Sequence, residues 1–374
     1  MMKYNPLLDG VRGIAILLVL FAHFPFDFFN YSNSLYYESI FVKIGMIGAT
    51  GVDLFFILSG FLITNILLVN KCRDINTYYK NFYVRRSLRI FPLYYGILIF
   101  IFFILPIFYK LNASSITIYE NQVFLWTYTS NLSRIFEIEW DNSVDFSIGH
   151  FWSLAVEEHF YLVWPSVVFF LSTKHIKIAC WTLLLSSIFA GVTIDFFQIV
   201  LDQETIDWST VTRGGALLLG AIICLEERTD EREEAYVIPK YFYLILLLYF
   251  VVLVMPRKIL GNVNHIQYYL SWVLYYNLFK YVLHSQKPKL IAFLSNRHLI
   301  FMGSISYGIY VFDGLLRPHV KRVLDFLIES FSTKVTAIDV VLSLIIYIVA
   351  ITFIAWLSFN YYEKYFLKLK RFFK

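Results

Sequence analysis

Long apolar runs recur almost from end to end of this 374-residue chain, and they decide its class. Crossing the hydrocarbon core of a bilayer takes roughly 20 apolar residues in a helix. Away from water, only helices or closed barrels satisfy every backbone polar group. Segments near 13–29, 44–69, 90–108, 150–171, 178–200, 212–225, 241–256, 266–284, 299–316 and 335–359 are candidates, the sixth and seventh being short. Charged residues make up 16% of the chain, against about 25% in soluble domains. The expected fold is therefore all-α: a polytopic membrane protein of about ten transmembrane helices, one domain over residues 1–374 with no sizeable soluble part.

Loop charge gives the expected orientation, since basic loops stay in the cytoplasm. Residues 70–89 are rich in Lys and Arg, as is the tail after Tyr362, whereas 30–43 and 109–149 are poor in both. Both termini are then expected in the cytoplasm, with 109–149 outside and long enough to fold over a site. Arg317, Lys321 and Arg322, expected in an outer loop, run mildly against this pattern. The N-terminal run has no small-residue cleavage site and carries Arg12 and His23, so it reads as the first span, not a signal peptide.

Ionisable residues inside such runs are costly and face the protein interior or a wet cavity. Arg12 and His23 lie eleven residues apart in LDGVRGIAILLVLFAHF. That is close to three helical turns, so they share a face across roughly 16 Å of rise. His23 is either a core histidine satisfied by a neighbouring helix or a general base, for which an imidazole suits acyl transfer to an alcohol. Asp53, in GVDLFFILSGFLIT, is expected at similar depth, paired with His23 or Arg12; it would orient the histidine or form a structural ion pair. Ser59-Gly60 reads as helix packing. Arg85, Arg86 and Arg89 precede the third run. They satisfy the topology signal, and as paired guanidinium forks they also suit phosphates, such as those of coenzyme A. The segment SIGHFWSLAVEEHFYLVWP holds His150, Trp152, Ser153, His159 and two adjacent carboxylates, Glu157 and Glu158. These point about 100° apart; one is expected to pair with a cation and the other to line a cavity.

Several chemistries find no support. There is no GxSxG, no phosphate-binding or dinucleotide-binding glycine motif and no HExxH. The three cysteines, Cys72, Cys180 and Cys224, are scattered, so neither a disulfide framework nor a zinc site is indicated. The net charge of +5 sits mostly in loops and reports topology, not nucleic-acid binding.

Five blocks in order, LDGVRGIAILLVLFAHF, GVDLFFILSGFLIT, RRSLRIFPLYY, SIGHFWSLAVEEHFYLVWP and SISYGIYVFD, resemble the acyltransferase 3 family of integral membrane acyltransferases. The resemblance implies a ten-helix domain in the bacterial inner membrane that moves an acyl group, usually acetyl from acetyl-CoA, without a metal. The implied acceptor is a hydroxyl of an extracytoplasmic or surface glycan, such as an exopolysaccharide, lipopolysaccharide or lipid-linked glycan. The family's essential arginine-to-histidine spacing maps onto Arg12 and His23, its basic cytoplasmic motif onto Arg85, Arg86 and Arg89, and its glutamate pair onto Glu157 and Glu158. The expected mechanism then has the donor phosphates against Arg85, Arg86 and Arg89, Arg12 helping to hold the donor, His23 as base, Asp53 orienting it or balancing its charge, and Glu157 or Glu158 shaping the acceptor side. Two positions depart from the family pattern: Asp313 stands where relatives often carry histidine, and EEH replaces EEQ. The chain ends soon after its last apolar run, so no appended SGNH-type domain is expected. A rival class is a transporter or flippase of a lipid-linked sugar, using the buried ionisable residues as a relay.

Overall fold

The structure, a computed structural model, describes residues 5–24, 45–108, 113–136, 138, 140, 146–197, 208–229, 236–255, 264–331 and 337–373. The expected loop at 30–43 lies outside these residues. Among the described residues the fold is helical, with no strand. Its longer helices are α1 (Pro6–His23), α2 (Gly51–Asn70), α3 (Ile75–Ile99), α4 (Trp152–Phe170), α5 (Thr173–Phe197), α6 (Thr210–Thr229), α7 (Lys240–Val254), α8 (Asn264–Leu283), α9 (Pro288–Leu294), α10 (Arg297–Ser304), α11 (Ser306–Phe331) and α12 (Ala337–Ser358). Five helices among the described residues are long and apolar enough to cross a membrane, or six if α10 and α11, bent by 69° at their junction, count as one.

Every expected span has a helix, but several boundaries move. The third begins at Ile75, so the arginines expected in a loop lie on α3. Asp74 starts that helix, its carboxylate accepting the Thr77 backbone N–H at 2.9 Å; this is the side-chain capping that orphan helix donors require. Pro92 sits inside α3. The ninth span breaks at Ile305, and the basic residues expected beyond it continue α11, where Lys321 meets Asp325 at 3.1 Å. The C-terminal tail is helical too: α12 continues through a π-turn, Phe359–Glu363, into a further turn, Lys364–Leu369.

Contacts group the chain into two compact units. The first comprises Met1–Ala15, Thr50–Tyr79 and Ala155–Ser304; the second comprises Ile16–Ala49, Lys80–Leu154 and Ile305–Lys374.

In the first unit, α2 and α6 approach to backbone contact. A Cβ on Gly60 would stand 1.9 Å from the Leu217 carbonyl oxygen, and one on Gly220 would stand 2.0 Å from that of Ile57. Small residues permit such crossings where lipid tails give helices no hydrophobic reason to associate. Polar pairs add direction: Trp164 Nε1 donates to Thr64 at 2.9 Å, and the Ser59 and Tyr161 hydroxyls meet at 2.5 Å.

In the second unit, aromatic rings join α3 to the short turn Val123–Trp126. Tyr94 stacks on Tyr128 with centroids 4.2 Å apart and donates its hydroxyl to the Leu125 carbonyl at 2.9 Å. Tyr95 stacks on Trp126. The expected outer loop is therefore folded onto α3, and Tyr94 in turn touches Phe151 at 5.2 Å.

Candidate active site

His23 is the last residue of α1, and its carboxylate partner is Asp313 on α11. The His23 Nδ1 lies 2.5 Å from Asp313 Oδ2. Asp313 is wholly buried, while the His23 side chain keeps 24% of its surface. The other Asp313 oxygen accepts the hydroxyl of Tyr347 on α12. Arg317, one turn further along α11, contributes positive potential at the same carboxylate. With Nδ1 held by the carboxylate, Nε2 becomes the working nitrogen of His23, the arrangement in which a carboxylate fixes the tautomer and orientation of a catalytic imidazole.

His150 stands beside this pair, on the single 3₁₀ turn Gly149–Phe151 that opens α4. Its ring centroid lies 6.2 Å from that of His23 and 5.1 Å from that of Tyr310. Its carbonyl accepts the Tyr310 hydroxyl at 2.7 Å and the Ser153 hydroxyl at 3.2 Å. Gly314 makes the room: a Cβ there would stand 2.2 Å from His150 Cε1 and 2.3 Å from the Ser147 carbonyl oxygen.

The basic residues of α3 gather with the C-terminal helix. Arg85 is exposed, and it donates to the carbonyl oxygens of Phe373 at 2.8 Å and Lys370 at 3.5 Å. Arg86 and Arg89 are half-buried, and Lys370 sits in the field of all three arginines. Buried Glu363, from the π-turn, accepts the Ser358 hydroxyl at 3.1 Å and faces the charge of Arg89. On α3, Tyr94 follows Arg89 by five residues, about 8 Å of rise; on α11, Gly308, beside Glu363, precedes Asp313 by the same interval.

The remaining expected residues belong to the first unit. Arg12 pairs with Asp9 at 2.7 Å and keeps 34% of its side-chain surface. Glu157 and Glu158 are half-buried on α4. Asp53 was expected to pair with Arg12 or His23; its carboxylate instead lies 3.1 Å from Arg213 of α6, with both groups almost wholly buried. The Arg213 guanidinium also lies over the Tyr268 ring of α8, 3.9 Å from its centroid. A buried carboxylate persists only when paired, and Arg213 offers a planar fork that a carboxylate matches. No sequence pattern singled out Arg213 or Tyr347; His150 stood out only as part of its block, and Asp313 only as a departure from the family pattern.

A helical, apolar chain with five or six helices long and apolar enough to cross a membrane among the described residues defines a class: integral membrane proteins. The family model for the acyltransferase domain (acyltransferase 3) matches residues 5–359, and the chain belongs to that family. It is similar to the "Peptidoglycan O-acetyltransferase OatA" of Listeria monocytogenes, 30% identical over 227 residues, covering 59% of this chain and 34% of that protein. It is also similar to the "Putative peptidoglycan O-acetyltransferase YrhL" of Bacillus subtilis, 31% identical over 229 residues, covering 60% and 33%. A "Putative O-acetyltransferase" of Staphylococcus aureus is 26% identical over 333 residues, covering 83% and 50%. The chain thus aligns with a third to a half of the length of these relatives. No solved structure matches it.

Proposed function

We propose that this chain is a membrane O-acetyltransferase that moves an acetyl group from cytoplasmic acetyl-CoA to a hydroxyl of an extracytoplasmic glycan. The observation that carries the reading is the His23–Asp313 pair at 2.5 Å, in the same compact unit as Arg85, Arg86, Arg89 and Lys370. The names of the relatives support acetyl as the group and a cell-wall or surface glycan as the acceptor. The proposed frame is ten spans in a bacterial inner membrane with both termini in the cytoplasm.

In this mechanism Arg86, Arg89 and Lys370 hold the donor phosphates at the inner side. Arg85 clamps the C-terminal helix. The thioester reaches the histidines between α3 and α11. His23 Nε2 takes the proton of the acceptor hydroxyl, whose oxygen bonds to the acyl carbon. The tetrahedral adduct collapses, the carbon–sulfur bond breaks, and the imidazolium returns the proton to the departing thiolate. Asp313 keeps the imidazole in the accepting tautomer and balances its charge. Asp53, expected at the reacting centre, instead anchors α2 to α6 through Arg213.

The test uses the full chain in lipid nanodiscs with acetyl-CoA and soluble peptidoglycan oligosaccharides, following free thiol and ester formation together. The wild type releases coenzyme A as ester appears, and His23→Ala at equal expression loses both signals. Undiminished ester formation by His23→Ala would sink the proposed base. A wild type that neither binds nor consumes acetyl-CoA would remove the enzyme reading and favour the transporter class.

A further inference from the structure

We infer that His150 is a second catalytic residue of this centre, donating a ring N–H to the acyl carbonyl oxygen as negative charge develops on it. The inference rests on the acetyltransferase reading above and assigns that reaction its oxyanion donor.

Three observations carry it. The first is position. With ring centroids 6.2 Å apart and planes at 67°, the two imidazoles can address one tetrahedral centre. His23 meets the attacking hydroxyl and His150 the carbonyl oxygen, each across an ordinary hydrogen bond of about 2.6–3.2 Å. The second is fixation. The His150 carbonyl is clamped by Tyr310 and Ser153, two hydroxyls that also meet each other. The Nδ1–Cε1 edge of the ring lies against the bare Cα of Gly314, which fixes the plane of the ring. A donor held before the reaction stabilises an oxyanion without reorganisation at the moment of need. The third is division of labour. Both Asp313 oxygens are engaged, one by His23 and one by Tyr347, so the carboxylate fixes one imidazole as base. A histidine carries an N–H in either neutral tautomer, so His150 can donate without passing through the proton cycle of His23. No proton is gained or lost by His150: it contributes a hydrogen bond that shortens as the oxyanion forms and lengthens as the thiolate leaves.

The experiment compares His150→Leu, which keeps volume without a donor, with His150→Asn, which restores an amide N–H, in the nanodisc assay with acetyl-CoA and peptidoglycan oligosaccharides. His150→Leu should lower kcat on the order of 10²–10³-fold, the usual effect of losing one oxyanion donor, with KM for acetyl-CoA within about threefold of wild type. His150→Asn should recover at least roughly tenfold of that loss, and its kcat against pH should keep the wild-type acidic limb, because the base is His23. Equal kcat for the two variants at equal thermal stability overturns the inference, as does disappearance of the acidic limb in His150→Asn, which would make His150 the base. If His150→Leu does not fold, the His150→Asn profile decides. A wild type and His23→Ala that behave as the function requires, beside a fully active His150→Leu, would remove this inference alone. A wild type inert toward acetyl-CoA would remove both.

Discussion

At the residue scale, the proposed chemistry rests on how Asp313 is divided. One oxygen holds His23 and the other receives Tyr347. Asp313→Asn keeps the shape but offers an amide where the imidazole needs a carboxylate. It should lower kcat for acyl transfer on the order of 10²–10⁴-fold while leaving donor KM nearly unchanged; steady-state kinetics on the nanodisc-embedded chain check this. The sequence was only partly legible here. Depth and helical register marked His23, because a titratable group inside an apolar run is informative by itself. Its partner lies 290 residues away, and no local pattern links the two. Asp53 misled for the same reason: cost demands that a buried carboxylate be paired, but cost does not name the cation. Arg213 stands alone at the head of the run 212–225, and the rule that flagged Asp53 could have flagged it. Tyr347 carried no signal among its apolar neighbours.

At the element scale, hydropathy locates the lipid-facing part of a helix and says little about where the helix begins. The third apolar run starts near 90, yet α3 starts at Ile75, because the polar turns before it are capped by Asp74 and interrupted by neither glycine nor proline. The Thr77 backbone N–H holds the Asp74 carboxyl below the usual carboxylate range. A lowered folded pKa means the cap contributes fully above the unfolded value near about 4 and is lost as pH falls through the folded one. The start of α3 should therefore fray only in strong acid. Amide exchange at Thr77 and Tyr78 measured from neutral pH downward checks this, and Asp74→Asn, a cap that does not titrate, should abolish the pH dependence. The break at Ile305 and the π-turn Phe359–Glu363 were illegible, since a window of mean hydropathy averages over both. They matter to the site: the first frees α11 to leave α10 at 69°, and the second carries Glu363 to Arg89 and Gly308.

At the scale of the whole molecule, the cations expected in a loop form a patch on α3 completed by the C-terminal helix. The four are not equivalent. Arg85 donates to backbone carbonyls; Arg86, Arg89 and Lys370 are the contacts proposed for the donor. Arg86→Gln and Arg89→Gln should each raise KM for acetyl-CoA about tenfold, as losing a hydrogen bond to a charged group costs. Each should leave turnover of saturated enzyme nearly intact, and raised salt should weaken donor binding in the wild type more than in the variants. An unchanged KM in both would reduce the arginines to a topology signal. That the chain is helical and built for a membrane was plain from its apolar runs. Its assembly from two interleaved units was not, because unit membership follows packing between distant segments.

The separation of His23 from Asp313 has a consequence in time. At about 5–20 residues per second of synthesis, the imidazole leaves the ribosome roughly 15–60 s before its carboxylate exists. For that interval the end of α1 holds a titratable ring with no Asp313 and no Tyr347 to receive it. A nascent chain halted before residue 313 thus carries His23 without the carboxylate that receives it in the fold.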